Sequence, residues 1–166
     1  VFNTVAGDDT LDFSAVTTDL TVTVGAGVTD GINTVSVNTY DTIIGGSGTD
    51  ELVGPNTNTI WDVAGADSGS VGNIDFSDFE LLTGGSDIDT FNLATAKTFK
   101  GALNGGDHND LFVFGDQAAV TGIVDGGPGP DDTLDYNAYT TPVIVKISGG
   151  TATGTGGIAN IETVVP

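Results

Sequence analysis

Over most of this chain, single apolar residues stand between threonine, aspartate and glycine, and where they cluster the period is two. Leu20, Val22 and Val24 alternate with Thr21 and Thr23, the pattern of a strand with one buried face. Residues 132–165 repeat residues 9–44. DTLDFSAVTTDLTVTVGAG is matched by DTLDYNAYTTPVIVKISGG, and YDTII by IETVV. The middle stretch NIDFSDFELL, residues 73–82, closes in the same way. Acidic residues Asp41, Glu80 and Glu162 therefore stand four positions before Gly45, Gly84 and Pro166. Residues 116–120 (DQAAV) are the only helix candidate, and five residues are too few for a helix to stand alone. The expected fold is all-β.

A second pattern is superposed on the first. Glycine pairs occur at Gly84-Gly85, Gly105-Gly106 and Gly126-Gly127, 21 residues apart. They open the stretches GGSDIDTFN, GGDHNDLFV and GGPGPDDTL. A fourth stretch, GGSGTDELV from Gly45, fits the nonapeptide G-G-x-G-x-D-x-U-x at every defined position. A partial copy, TVAGDDTLD, begins at residue 4 without its glycine pair. A longer repeat of about 40 residues thus begins near 4, 45, 84 and 126. Repeats of this length imply stacked supersecondary units. The expectation is a single domain over 1–166, a parallel β-solenoid with about 20 residues per coil and about eight coils. At ~4.8 Å per strand it would form a rod of about 40 Å.

Composition narrows the function. The chain has 23 acidic residues against three lysines, Lys97, Lys100 and Lys146, and a net charge of −20. No nucleic-acid surface can be built from that set, because phosphate neutralisation needs clustered Lys and Arg. No apolar run is long enough for a membrane span. Cysteine is absent, which excludes disulfides and thiolate metal sites. With no methionine either, the chain is expected to be a processed protein or an excised piece. One histidine and no marked nucleophile exclude a Ser-His-Asp set, and no enzymatic activity is expected.

The glycine–aspartate stretches carry the candidate chemistry. Calcium takes six to eight oxygen ligands at about 2.3–2.6 Å. Glycines allow positive φ, so a turn can aim several carbonyls inward. The aspartate adds a carboxylate, and the apolar residue two places on anchors the turn in the core. One turn supplies half a coordination sphere, so the ion must sit between stacked turns. Asp89, Asp110 and either Asp131 or Asp132 would line one edge, with Gly126 and Gly127 opening the last turn. Asp50 and Asp9 extend the ladder where the intervening coils leave it unbroken. At the fourth position of two stretches Asp87 and His108 replace glycine, and both types tolerate left-handed geometry.

On these motifs the chain resembles the hemolysin-type, or RTX, calcium-binding repeat family. It is also similar to the longer β-solenoid repeats of large secreted bacterial surface proteins. The resemblance implies calcium at Asp50, Asp89 and Asp110, with Gly45, Gly46, Gly48, Gly84, Gly85, Gly105 and Gly106 shaping the turns. It further implies an extracellular or cell-surface location. The expected function is a calcium-stiffened structural module that stacks end to end into a fibre, surface layer or adhesin stalk. The end-to-end expectation comes from Pro166, which occupies the phase where the next motif should begin. The alternative is a calcium-folded or carbohydrate-binding module of a secreted enzyme or adhesin.

Overall fold

The computed structural model describes residues 7–25, 27–29, 34–35 and 40–166; the repeat start expected near residue 4 lies outside them. The described residues form strands and turns, apart from one short 3-10 segment at Ile147–Gly149. The helix candidate at 116–120 is a turn that leads into the strand Ala119–Asp125. Its two alanines are needed at the strand start, where Ala118 is fully buried.

Two sheets share the chain. In spatial order the first runs Thr10–Asp12, Thr42–Ile44, Ile74–Ser77, Ser68–Val71, Thr59–Val63, Asp89–Leu93, Leu111–Phe114, Thr133–Asp135 and Thr163–Val165. The second runs Thr98–Phe99, Ala119–Asp125, Ala102–Gly106, Leu81–Gly85, Glu51–Val53 and Thr21–Thr23, then Gly27–Thr29 and Thr34–Val35; Thr155–Ala159 also pairs with Ala119–Asp125. The chain passes from one sheet to the other and back, so most neighbours are parallel. Residues 10–12 with 42–44, and 133–135 with 163–165, are adjacent parallel pairs in the first sheet, as the repeat of 9–44 in 132–165 requires.

The circuit is not uniform. Leu81 pairs with Ala102 and Thr90 with Leu111, each 21 residues on. Elsewhere the offset is 30 or more, as in Thr21 with Glu51 and Thr10 with Thr42. The expected length of about 20 residues therefore holds between residues 81 and 133, and insertions lengthen the other circuits. One is the hairpin of Val145–Lys146 and Thr151–Ala152, which forms a separate antiparallel pair where the repeat suggested a strand like Thr21–Thr23. Pro142, in place of Asp19 of the earlier copy, has no amide to give a ladder at that point.

Alternation sets the core. In the second sheet Val22, Leu52, Leu82, Leu103, Val124 and Ile158 fall in register and are all buried. In the first, Trp61, Phe91, Phe112 and Leu134 do the same. Trp61 and Phe91 stack at 5.3 Å between ring centres, and Phe91 and Phe112 at 5.1 Å. Phe76, Phe79, Phe99 and Phe114 are also in the core.

Another insertion is a meander. Thr59–Val63, Ser68–Val71 and Ile74–Ser77 are antiparallel neighbours in the first sheet. On the opposite side Glu51–Val53 pairs directly with Leu81–Gly85. A single first-sheet strand would bridge those two, so the first sheet gains two strands here, as the second does with Gly27–Thr29 and Thr34–Val35 beside Thr21–Thr23. Bulky rings fill the interior beside it. Phe76 meets Trp61 edge-on at 6.0 Å and Phe79 at 6.4 Å.

Candidate metal site at the sheet corners

Each circuit has two corners, and an acidic residue stands at the start of many strands. There the backbone N–H emerges before the strand ladder begins, and a buried N–H must find an acceptor. A carboxylate from the next circuit supplies it. Along one corner, Thr59 N–H donates to Asp89 Oδ1 (2.9 Å), Asp89 N–H to Asp110 Oδ1 (2.7 Å), Asp110 N–H to Asp132 Oδ1 (2.7 Å) and Asp132 N–H to Glu162 Oε2 (2.9 Å). These are charge-assisted bonds along the stacking direction. Asp89, Asp110 and Asp132 are at most 1% exposed.

The sequence-marked residues do not all meet. Asp132, buried, is the ladder residue, whereas its neighbour Asp131 is exposed and accepts a bond from the Thr163 hydroxyl. Asp50 lies at the opposite corner, where the chain enters the second sheet. It accepts from Leu20 N–H, and its own N–H donates to Glu80, each at 2.8 Å. Asp9 shares the first corner but stands beyond the meander, and its N–H donates to Asp41 at 2.8 Å. The expected single ladder is thus three segments at two corners. Asp41, Glu80 and Glu162 are working members of them. Their signal was the acidic residue recurring four positions before each motif start, a spacing that did not by itself reveal a role.

The glycines let the circuits approach closely. A Cβ on Gly84 would lie 1.8 Å from Gly105 O, one on Gly105 2.5 Å from Gly126 O, and one on Gly126 2.0 Å from Asn160 O. The second glycines face the circuit on the other side: a Cβ on Gly106 would lie 2.2 Å from Gly85 O, and one on Gly127 2.2 Å from Gly106 O. At the opposite corner a Cβ on Gly45 would meet Asp78 O, and those on Gly46 and Gly48 would meet Val16 O and Asp19. At the fourth position His108 takes a left-handed φ of 73°, whereas Asp87, Gly48 and Gly129 do not have positive φ.

Three buried carboxylate oxygens are left over among the described residues, Asp67 Oδ1 beside the meander and two in this ladder. Asp110 Oδ2 and Asp132 Oδ2 are buried and have no hydrogen-bond partner. An unpaired buried charge is costly. Each shares the space beside a glycine with a backbone carbonyl oxygen. The position of a Gly105 Cβ is 2.2 Å from Asp110 Oδ2 as well as 2.5 Å from Gly126 O. That of a Gly129 Cβ is 2.9 Å from Asp132 Oδ2 and 2.0 Å from His108 O. Oxygen donors converging on cradles that side chains would fill suit a hard cation such as calcium. Among the described residues no three acidic or histidine side chains converge, so backbone carbonyls must complete any such set.

Protonation follows the same crowding. Burial pushes Asp89 up to about 6 and Asp110 up to about 7, with neighbouring carboxylates adding to the rise, and burial also raises Asp132. Above its unfolded value near 3.8, the folded form of each group binds more protons than the unfolded. Without a cation, stability is therefore expected to be highest below about pH 4 for these groups and to fall as pH rises through about 6 to 7. Urea midpoints of chelated protein at pH 4.5, 6 and 8 will check this; a midpoint that rises with pH would contradict it.

A cleft of about 530 Å³ opens beside the meander, lined among others by Pro55, Asn58, Ile60, Asp62 and Asn73. None of the ladder aspartates lines it. No helix among the described residues is long and apolar enough to cross a membrane. Comparisons with known protein families, curated proteins and solved structures gave no match to this chain.

Proposed function

We propose that this chain is a non-enzymatic, extracellular β-solenoid module that binds calcium at its glycine–aspartate corners and stacks end to end into a fibre, surface layer or stalk. The observation that carries the reading is the pair of buried, unpartnered oxygens on Asp110 and Asp132 inside a column that is otherwise hydrogen-bonded. Those two carboxylates, with the carbonyls of His108, Gly126 and Asn160, would hold the ion. A bound cation supplies positive charge to a chain of net charge −20, whose carboxylates otherwise repel one another. End-to-end stacking is supported by Thr10–Asp12 and Thr163–Val165. Among the described residues they are the outermost strands of the first sheet, each with one backbone edge open to a further strand. A sugar-binding role draws less support, because Trp61 and six phenylalanines are spent in the core rather than ranged along a face.

Thermal unfolding and light scattering with calcium or with chelator test the reading. At calcium a hundredfold above Kd the fold should gain about 2.7 kcal/mol, a rise of roughly 5–10 °C in Tm for a domain this size. Particle size should grow with calcium. An unchanged Tm and an unchanged size would reduce the motifs to turn chemistry.

A further inference from the structure

Four stretches share the glycine–aspartate pattern, but their aspartates are not in the same state. At the Gly45 and Gly84 turns both carboxylate oxygens are occupied. Asp50 accepts from Leu20 N–H and from Gly46 N–H, at 2.8 and 2.6 Å. Asp89 accepts from Thr59 N–H and from Gly85 N–H, at 2.9 and 2.7 Å. At the next two turns the second glycine points elsewhere. Gly106 N–H donates to Asn104 Oδ1 (3.1 Å) and Gly127 N–H to Asp125 Oδ1 (3.0 Å). Both glycines have swung to positive φ, 102° and 88°. The amide that satisfies Asp50 and Asp89 is thereby withdrawn from Asp110 and Asp132, whose Oδ2 atoms are the unpartnered ones.

The difference is written one residue before the glycine pair. Ile44 and Thr83 precede the first two pairs, Asn104 and Asp125 the second two. Thr83, Asn104 and Asp125 are in register on neighbouring strands, so they compare like with like. Thr83 turns its hydroxyl to Glu51 and leaves the Gly85 amide alone. Asn and Asp side chains reach their own backbone two residues on, which is an Asx turn.

We infer that the cation site is confined to the Gly105 and Gly126 turns, and that an Asn or Asp immediately before the glycine pair creates it by diverting the second glycine's amide. The Gly45 turn, the stretch that fits the nonapeptide best, is then a metal-free staple, and so is the Gly84 turn. Asn104 and Asp125 are positioning residues that act through Gly106 and Gly127. This inference rests on the calcium reading above.

Calorimetric titration of the whole chain with calcium chloride tests it. Asp110→Asn with Asp132→Asn should abolish binding, and the fold should survive because each new amide places a donor opposite a carbonyl. Asp50→Asn should leave calcium affinity within twofold. Asn104→Val with Asp125→Val, which keeps a strand-compatible shape without the acceptor, should weaken binding at least tenfold. Asp125→Asn removes charge but keeps the acceptor, and should retain affinity within threefold. The amide resonances of Gly106 and Gly127 should shift in the Val variants without calcium, a readout independent of binding. Binding that follows Asp50 and ignores Asn104 and Asp125 would overturn the inference while leaving calcium binding in place. Loss of affinity in Asp125→Asn equal to that in Asp125→Val would assign the effect to charge and overturn the turn mechanism. No calcium heat in the unmodified chain would overturn both.

Discussion

Replacing Gly84 with alanine is expected to lower the unfolding free energy by about 3 kcal/mol or more. The added methyl would sit 1.8 Å from the Gly105 carbonyl oxygen and 2.4 Å from Asp89 Oδ2. The first contact is with backbone, so no rotamer change relieves it. The strands Leu81–Gly85 and Ala102–Gly106 would have to part at their ends, where Gly85 and Gly106 are in register. Gly85 would then move off Asp89, loosening a carboxylate whose other oxygen holds Thr59. Gly157→Ala is the matched control, since its nearest neighbour would be 3.5 Å away, an ordinary contact. Urea denaturation of the two variants should separate their midpoints widely. Equal midpoints would mean that close approach of the circuits is not what the glycine column provides.

Trp61→Ala is expected to cost roughly 3–5 kcal/mol, the range for removing a buried large aromatic. Trp61 is fully buried, stacked on Phe91 at 5.3 Å and edge-on to Phe76 at 6.0 Å. It joins the regular part of the first sheet to the meander, so its loss opens a cavity where the two meet. Gly54 backs onto the ring and would need a side chain to fill the space. The indole N–H has no hydrogen-bond partner, so Trp61→Phe should lose packing alone and cost clearly less than the alanine change. Thermal melts followed by circular dichroism measure both. A loss below about 1 kcal/mol for the alanine variant would contradict the packing account.

Much of this was legible in the chain because its period is short and repeated. The alternation at Leu20–Val24 marks a strand, and the 21-residue spacing of the glycine pairs is the register of Leu81 with Ala102 and of Leu103 with Val124. The choice between Asp131 and Asp132 was also decidable. Asp50, Asp89 and Asp110 each stand two residues before a buried apolar residue, Leu52, Phe91 and Phe112, and Asp132 has that relation to Leu134. What the pattern does not carry is direction. The same nine residues turn the chain into the second sheet at Gly45 and into the first at Gly84, because a tight glycine turn has no preference between two sheets of equal polarity. The meander was hidden for a related reason: alternation at Thr59–Val63 and Ile74–Ser77 fixes which face is buried and leaves the neighbour strand open. The Asx turns at Asn104 and Asp125 were visible as residues, yet their effect on Asp110 and Asp132 depends on one amide's orientation.

The antiparallel strands bear on shape at a larger scale. The first sheet gains two at the meander, and the second gains Gly27–Thr29 and Thr34–Val35 beside Thr21–Thr23, so each sheet has nine strands among the described residues. At ~4.8 Å per strand, neither wall outruns the other. A stack of such units would therefore continue along one axis, with no bend imposed at each meander.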